Sequence, residues 1–93
     1  MYLVTYDIPQ EENAVRLRIA AILKNYGLER LQYSVFIGQL TPNQAETVSM
    51  RLADVTESIE ADVRMFPICD RCFGKLITVK SKKSLEQEEV VVL

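Results

Sequence analysis

"LERLQYSVFIGQL", residues 28–40, is a run of β-leaning residues longer than one strand of a small domain requires. Tyr33 and Ser34 fall near its middle, and the stretch divides there into two strands joined by a tight hairpin. That division decides the fold. Upstream, residues 2–8 alternate Tyr2, Val4, Tyr6 and Ile8 with Leu3, Thr5 and Asp7, which describes a strand with two different faces. Pro9 closes it. One strand does not settle which face looks toward the helices; if Tyr2, Val4, Tyr6 and Ile8 do, Asp7 sits at the open face or its rim. Between this strand and the hairpin, from Glu11 to Tyr26, Val15, Ile19, Ile22, Leu23 and Tyr26 keep helical spacing, with two glutamates in the first turn and Gly27 placed as C′. Downstream, Thr41-Pro42-Asn43-Gln44 is a capping box with proline at N1. It opens a second helix whose apolar stripe is Ala45, Val48, Leu52, Val55 and Ile59. "ADVRMFPI" (61–68) reads as a fourth strand and "KLITVK" (75–80) as a fifth, with Cys69 and Cys72 in the turn between them.

The order β-α-β-β-α-β with an extra C-terminal strand predicts an α+β, ferredoxin-like domain over residues 1–80. Both helices then cover one face of a single antiparallel sheet. The other face would carry Leu3, Phe36 or its neighbours, and Val63 or Phe66, an apolar set that calls for a cover. A homodimer through that face is the expected solution. The tail, residues 81–93, is charged and then abruptly apolar in "VVVL". It suits addition of a strand to a partner's sheet edge; a disordered tail is the alternative.

At 93 residues and 48% hydrophobic, the chain makes one domain with a modest core that gains from a partner. No apolar run approaches the ~20 residues of a membrane span, and no leader precedes the first strand. No membrane association and a cytoplasmic location are expected. The net charge of −2 means that a nucleic-acid partner must be held by local basic clusters.

There is no histidine, which removes imidazole bases, Ser-His and Cys-His nucleophile pairs, and histidine metal sites. The glycines at 27, 38 and 74 are too far apart for a phosphate loop. Hydrolysis would then need a hard cation on carboxylate oxygens, and Asp7 is the best-placed carboxylate. One aspartate is a poor Mg²⁺ site, but a twofold axis nearby would supply a second, and the paired charges would favour a cation between them. The plainer reading makes Asp7 a turn residue before Pro9. Cys69 and Cys72 form a CxxC pair, read as two reduced, half-buried thiols in a turn, with a metal site completed by a second chain or redox chemistry as alternatives. Arg71, Lys75, Lys80, Lys82 and Lys83 form a basic cluster that is either a solvated linker or a phosphate contact.

"YDIP", a helix bearing Arg16-Leu17-Arg18, "YGL", "RLQYSVFIGQLT" and the "PIC" strand end together resemble the CRISPR-associated Cas2 family, the small partner of the Cas1 integrase. The resemblance runs from residue 2 to about residue 79. It implies a ferredoxin-like homodimer, Mg²⁺-dependent (or Mn²⁺-dependent) cleavage of RNA or double-stranded DNA, and a bridging role in spacer integration. Carried over by position, Asp7 matches the metal-binding and catalytic aspartate, with Tyr6 beside it in the same motif. Arg16, Arg18 and Arg30 match the family's basic residues, and Lys80, Lys82 and Lys83 join them as nucleic-acid contacts. Phe36 matches the aromatic after "QYSV", read as core or dimer packing. Physically, Arg16 and Arg18 lie about 200° apart around a helix, so both reach one ligand only if one bends around the rim. Three functions follow: a metal-dependent endonuclease, a non-catalytic DNA-binding adaptor between integrase subunits, and, more remotely, a small-molecule regulatory domain.

Overall fold

The computed structural model describes residues 1–81. The elements are β1 (Tyr2–Asp7), α1 (Asn13–Asn25), β2 (Glu29–Gln32), β3 (Val35–Gly38), α2 (Pro42–Val55), β4 (Asp62–Pro67) and a one-turn α3 (Asp70–Phe73). The sheet order is β2-β3-β1-β4, with every neighbouring pair antiparallel. This is the expected βαββαβ arrangement, and the hairpin turns at Tyr33 and Ser34 as its sequence requires.

The register of β1 resolves its two faces. Val4, Tyr6 and Ile8 enter one buried cluster with Ile19, Ala20 and Leu23 of α1 and Ala45, Val48 and Leu52 of α2. Both helices therefore cover one side of the sheet, and Leu3, Thr5 and Asp7 face the other. Phe36, fully buried, pairs with Val4 and lies on the helix side. So does Val63, which pairs with Tyr6 and packs against the cluster. These registers decide between the alternatives that the sequence left for the open face, Phe36 or its neighbours and Val63 or Phe66. The period of two places Ile37 and Phe66 there instead, each opposite Leu3.

Local chemistry explains where the helices stop and start. Gly27 adopts φ 86°, the left-handed conformation that costs a side-chain-bearing residue about 1–2 kcal/mol. The turn lets Leu28 N–H reach Leu23 O and Gly27 N–H reach Lys24 O, each at 3.0 Å, which ties off the end of α1 and turns the chain into β2. At α2, Gln44 N–H donates to Thr41 Oγ1 at 3.1 Å while Thr41 N–H donates to Gln44 Oε1 at 3.0 Å, the complete capping box. Glu11 and Glu12 precede α1 rather than occupying its first turn.

Residues 75–80 are not a strand, contrary to expectation. A strand exists through its ladder, and among the described residues nothing pairs with this segment. The chain leaves β4 through α3, and Ile77 and Val79 stand 82% and 92% exposed. Lys82, Lys83 and the "VVVL" end lie outside the described residues. No helix among the described residues is long and apolar enough to cross a membrane.

Candidate metal and nucleic-acid site

Asp7 is the last residue of β1 and is exposed on the open face. Pro9 follows one residue after Ile8, so the ladder ends and the carboxylate stands at the rim of the sheet. Its partner across the ladder is Asp62, the first residue of β4. Like charges directly opposite each other repel, and here Arg64 relieves one of them. Arg64 Nε donates to Asp62 Oδ1 at 2.7 Å and Nη2 to Oδ2 at 3.1 Å, a two-pronged grip that uses both oxygens. The hydrogen bonds and charge of Arg64 hold the Asp62 carboxyl below its ordinary value, and Asp62 raises that of Arg64 in return. Asp7 is left as the carboxylate that projects without this grip. Asp62 and Arg64 are additions to the site that sequence reasoning missed. Their signal was the start of "ADVR": an antiparallel fourth strand beside the first must bring its opening residues to Asp7.

Among the described residues no group of three or more metal-ligating side chains converges in one chain. Mg²⁺ asks for less than a full protein cage, commonly one or two carboxylates completed by water and substrate phosphates. Asp7 has the hard oxygen that such an ion prefers, and one further carboxylate from a second copy would meet the minimum.

Tyr6, expected beside Asp7 in the site, points to the opposite face. Its ring is buried and stacks near Phe36 at 6.3 Å between centroids and 23° between planes. Burial raises the phenol above its ordinary value, with smaller opposing effects from Arg30 and Arg16. A neutral, buried phenol is suited to packing rather than to proton abstraction near neutral pH. Period-two alternation separates the two residues physically although they adjoin in sequence.

The basic residues disperse. Arg16 Nη2 donates to the carbonyl oxygens of Ile8 and Pro9 at 2.9 and 3.0 Å, and Nη1 to Asn13 Oδ1 at 3.2 Å. Arg18 is exposed and lines a shallow groove between the helices with Arg51 and Asp54. Arg30 lies over the Phe36 ring at 5.0 Å and donates to Tyr33 O at 3.0 Å, at the hairpin. Lys80 is exposed beyond α3. Phe36 takes the packing role, on the helix side, away from the open face. Cys69 and Cys72 are free and exposed rather than half-buried, and Cys69 Sγ caps α3 by accepting from Cys72 N–H at 3.2 Å.

The family model described as CRISPR associated protein Cas2 matches residues 1–76. A protein of Archaeoglobus fulgidus named CRISPR-associated endoribonuclease Cas2 1 is 32% identical over 81 residues, 87% of this chain and 84% of that one. A protein of Thermoproteus tenax named CRISPR-associated endonuclease Cas1/endonuclease Cas2 fusion is 39% identical over 69 residues, 74% of this chain and 25% of the fusion. The crystal structure of Streptococcus pyogenes Cas2 superposes with a TM-score of 0.74 at 24% identity, over 85% of this chain and 98% of that one, which speaks for the fold. A family match across the whole ordered sheet, together with relatives of this length, means that the chain belongs to the CRISPR-associated Cas2 family.

Proposed function

We propose that the chain acts in CRISPR adaptation as a homodimeric, metal-dependent endonuclease in the cytoplasm, hydrolysing phosphodiester bonds in single-stranded RNA or double-stranded DNA. The observation that carries this reading is the position of Asp7: exposed, at the end of the central strand, on the face that also presents half-buried Leu3 and exposed Phe66, with Ile37 buried between its neighbours. Phe66 is 45% exposed there, and an apolar strip rimmed by charge fits contact with a second copy. Closing two such faces about a twofold axis would pair the Asp7 carboxylates.

The two Asp7 side chains would hold Mg²⁺, or Mn²⁺ in its place, and the ion would supply Lewis-acid polarisation of a phosphoryl oxygen and an acidified water. The chain's own contribution is to place the carboxylates. The end of the ladder at Asp7 fixes the backbone, and the grip of Arg64 on Asp62 keeps the neighbouring acid from competing for the cation. Arg18, Arg30, Lys80, Lys82 and Lys83 serve as nucleic-acid contacts through phosphate neutralisation.

The fusion relative joins a Cas1 and a Cas2 part in one chain, which supports a Cas1 partner for this one; a second reading makes the dimer a bridge between Cas1 integrase subunits that carries duplex DNA without cutting it. In that reading Asp7 is needed only for structure. Asp7→Asn, assayed in parallel for Mg²⁺-dependent cleavage of RNA and duplex DNA and for spacer integration with Cas1, separates the two. Loss of cleavage by about 10²-fold or more with integration intact supports both activities on one dimer. A wild-type chain that cleaves nothing at any metal concentration overturns the nuclease reading.

A further inference from the structure

From the geometry of the loop between β1 and α1, we infer that Arg16 is a positioning residue for Asp7 and does not bind nucleic acid. The idea rests on the reading of Asp7 as the metal-holding group and deepens it. Arg16 lies in the first turns of α1, yet its guanidinium turns back to the two peptide units that follow Asp7. Nη2 bridges Ile8 O and Pro9 O at 2.9 and 3.0 Å, both contacts partly buried, and Nη1 takes Asn13 Oδ1 at 3.2 Å. Three of the five guanidinium donors are therefore spent on the loop that aims Asp7.

Ile8 anchors that loop in the core, but among the described residues it has few other polar restraints. Pro9 ends the ladder and brings no N–H, and Glu12, at the N-cap of α1, supplies no side-chain cap. The remaining ties are backbone bonds from Glu12 N–H to Pro9 O at 2.9 Å and from Arg16 N–H to Glu12 O at 3.2 Å. Two carbonyls aimed at one partly buried cation make a charge-assisted clamp, of the kind that costs more to break than a neutral hydrogen bond. Two further phosphate oxygens could reach this guanidinium only by displacing those carbonyls. Arg18, on the other side of α1 and exposed, has its guanidinium open to solvent and is the residue suited to phosphate.

Arg16→Gln and Arg16→Lys, with Arg18→Gln as the comparison, test this on the full-length protein. Two readouts apply: the amide protection of Glu12 by hydrogen exchange, and the salt dependence of binding to a 30-base-pair duplex (a length of about three helical turns). The expectation for Arg16→Gln is a drop of about tenfold or more in Glu12 protection with an unchanged salt slope, and partial recovery of protection in Arg16→Lys. Arg18→Gln should lower the slope by about one, the effect of one lost phosphate contact, with Glu12 protection intact. Unchanged Glu12 protection in Arg16→Gln, or a slope reduced by about one in that variant, overturns the inference. Where the wild type cleaves, Arg16→Gln should lower kcat with KM changed by less than about twofold; a raised KM with kcat intact also overturns it. A wild type that does not cleave refutes the nuclease reading alone, because exchange and binding still decide the role of Arg16.

Discussion

The two faces of β1 have the same backbone, the same neighbours in the ladder and opposite fates. Val4, Tyr6 and Ile8 disappear beneath α1 and α2, where Val4 keeps no exposed surface at all. Leu3, Thr5 and Asp7 remain in reach of solvent or of another molecule. The inner face is saturated by the chain itself, and its job ends with folding. The outer face keeps an aspartate at a strand end, where strands disfavour it, and apolar neighbours that a lone domain gains nothing by exposing. In the function proposed above, the side of the strand that the chain leaves unfinished is the one that works.

The comparison can be broken from either side. On the inner face, Phe36→Ala should cost about 3–5 kcal/mol, as large aromatic truncations in a packed core do; urea unfolding at fixed protein concentration measures it, and a loss under about 1 kcal/mol would show that the core is not where the stability lies. On the outer face, Phe66→Asp should dissociate the proposed dimer while leaving the far-ultraviolet circular dichroism of the monomer unchanged. Sedimentation velocity reads the first, and a variant that remains dimeric would move the contact elsewhere. The smallest effect concerns Asp62. Its depressed carboxyl pKa, caused by hydrogen bonds and charge from Arg64, makes the pair's stabilisation fully present above the ordinary aspartate value and lost as pH falls through the shifted one. Arg64→Gln should return the Asp62 titration toward the ordinary range, followed by carboxyl carbon shifts; an unmoved titration would mean that the grip at 2.7 Å does not persist in solution.

Much of this was legible in the residues. Turn chemistry at Tyr33-Ser34, the capping box at Thr41 and the glycine at 27 each act over a few positions, so a linear reading finds them. The fifth strand over 75–80 was misread because β-propensity reports what fits a pleated surface, not whether a partner strand is there. The surroundings of Tyr6 and Arg16 escaped a linear reading for a related reason. Alternation sends Tyr6 inward, and the carbonyls that hold Arg16 lie seven and eight residues upstream, in the loop before α1, where helical periodicity does not operate. Asp62 was invisible until the register of β4 on β1 set it opposite Asp7.

The claim beneath all of this is that one divalent ion is shared by the Asp7 carboxylates of two copies. Electron paramagnetic resonance titration of Mn²⁺ into the full chain tests it directly. The account predicts one tightly held ion for every two chains, lost in Asp7→Asn with the dimer intact. One ion per chain, or binding that survives Asp7→Asn, would contradict it.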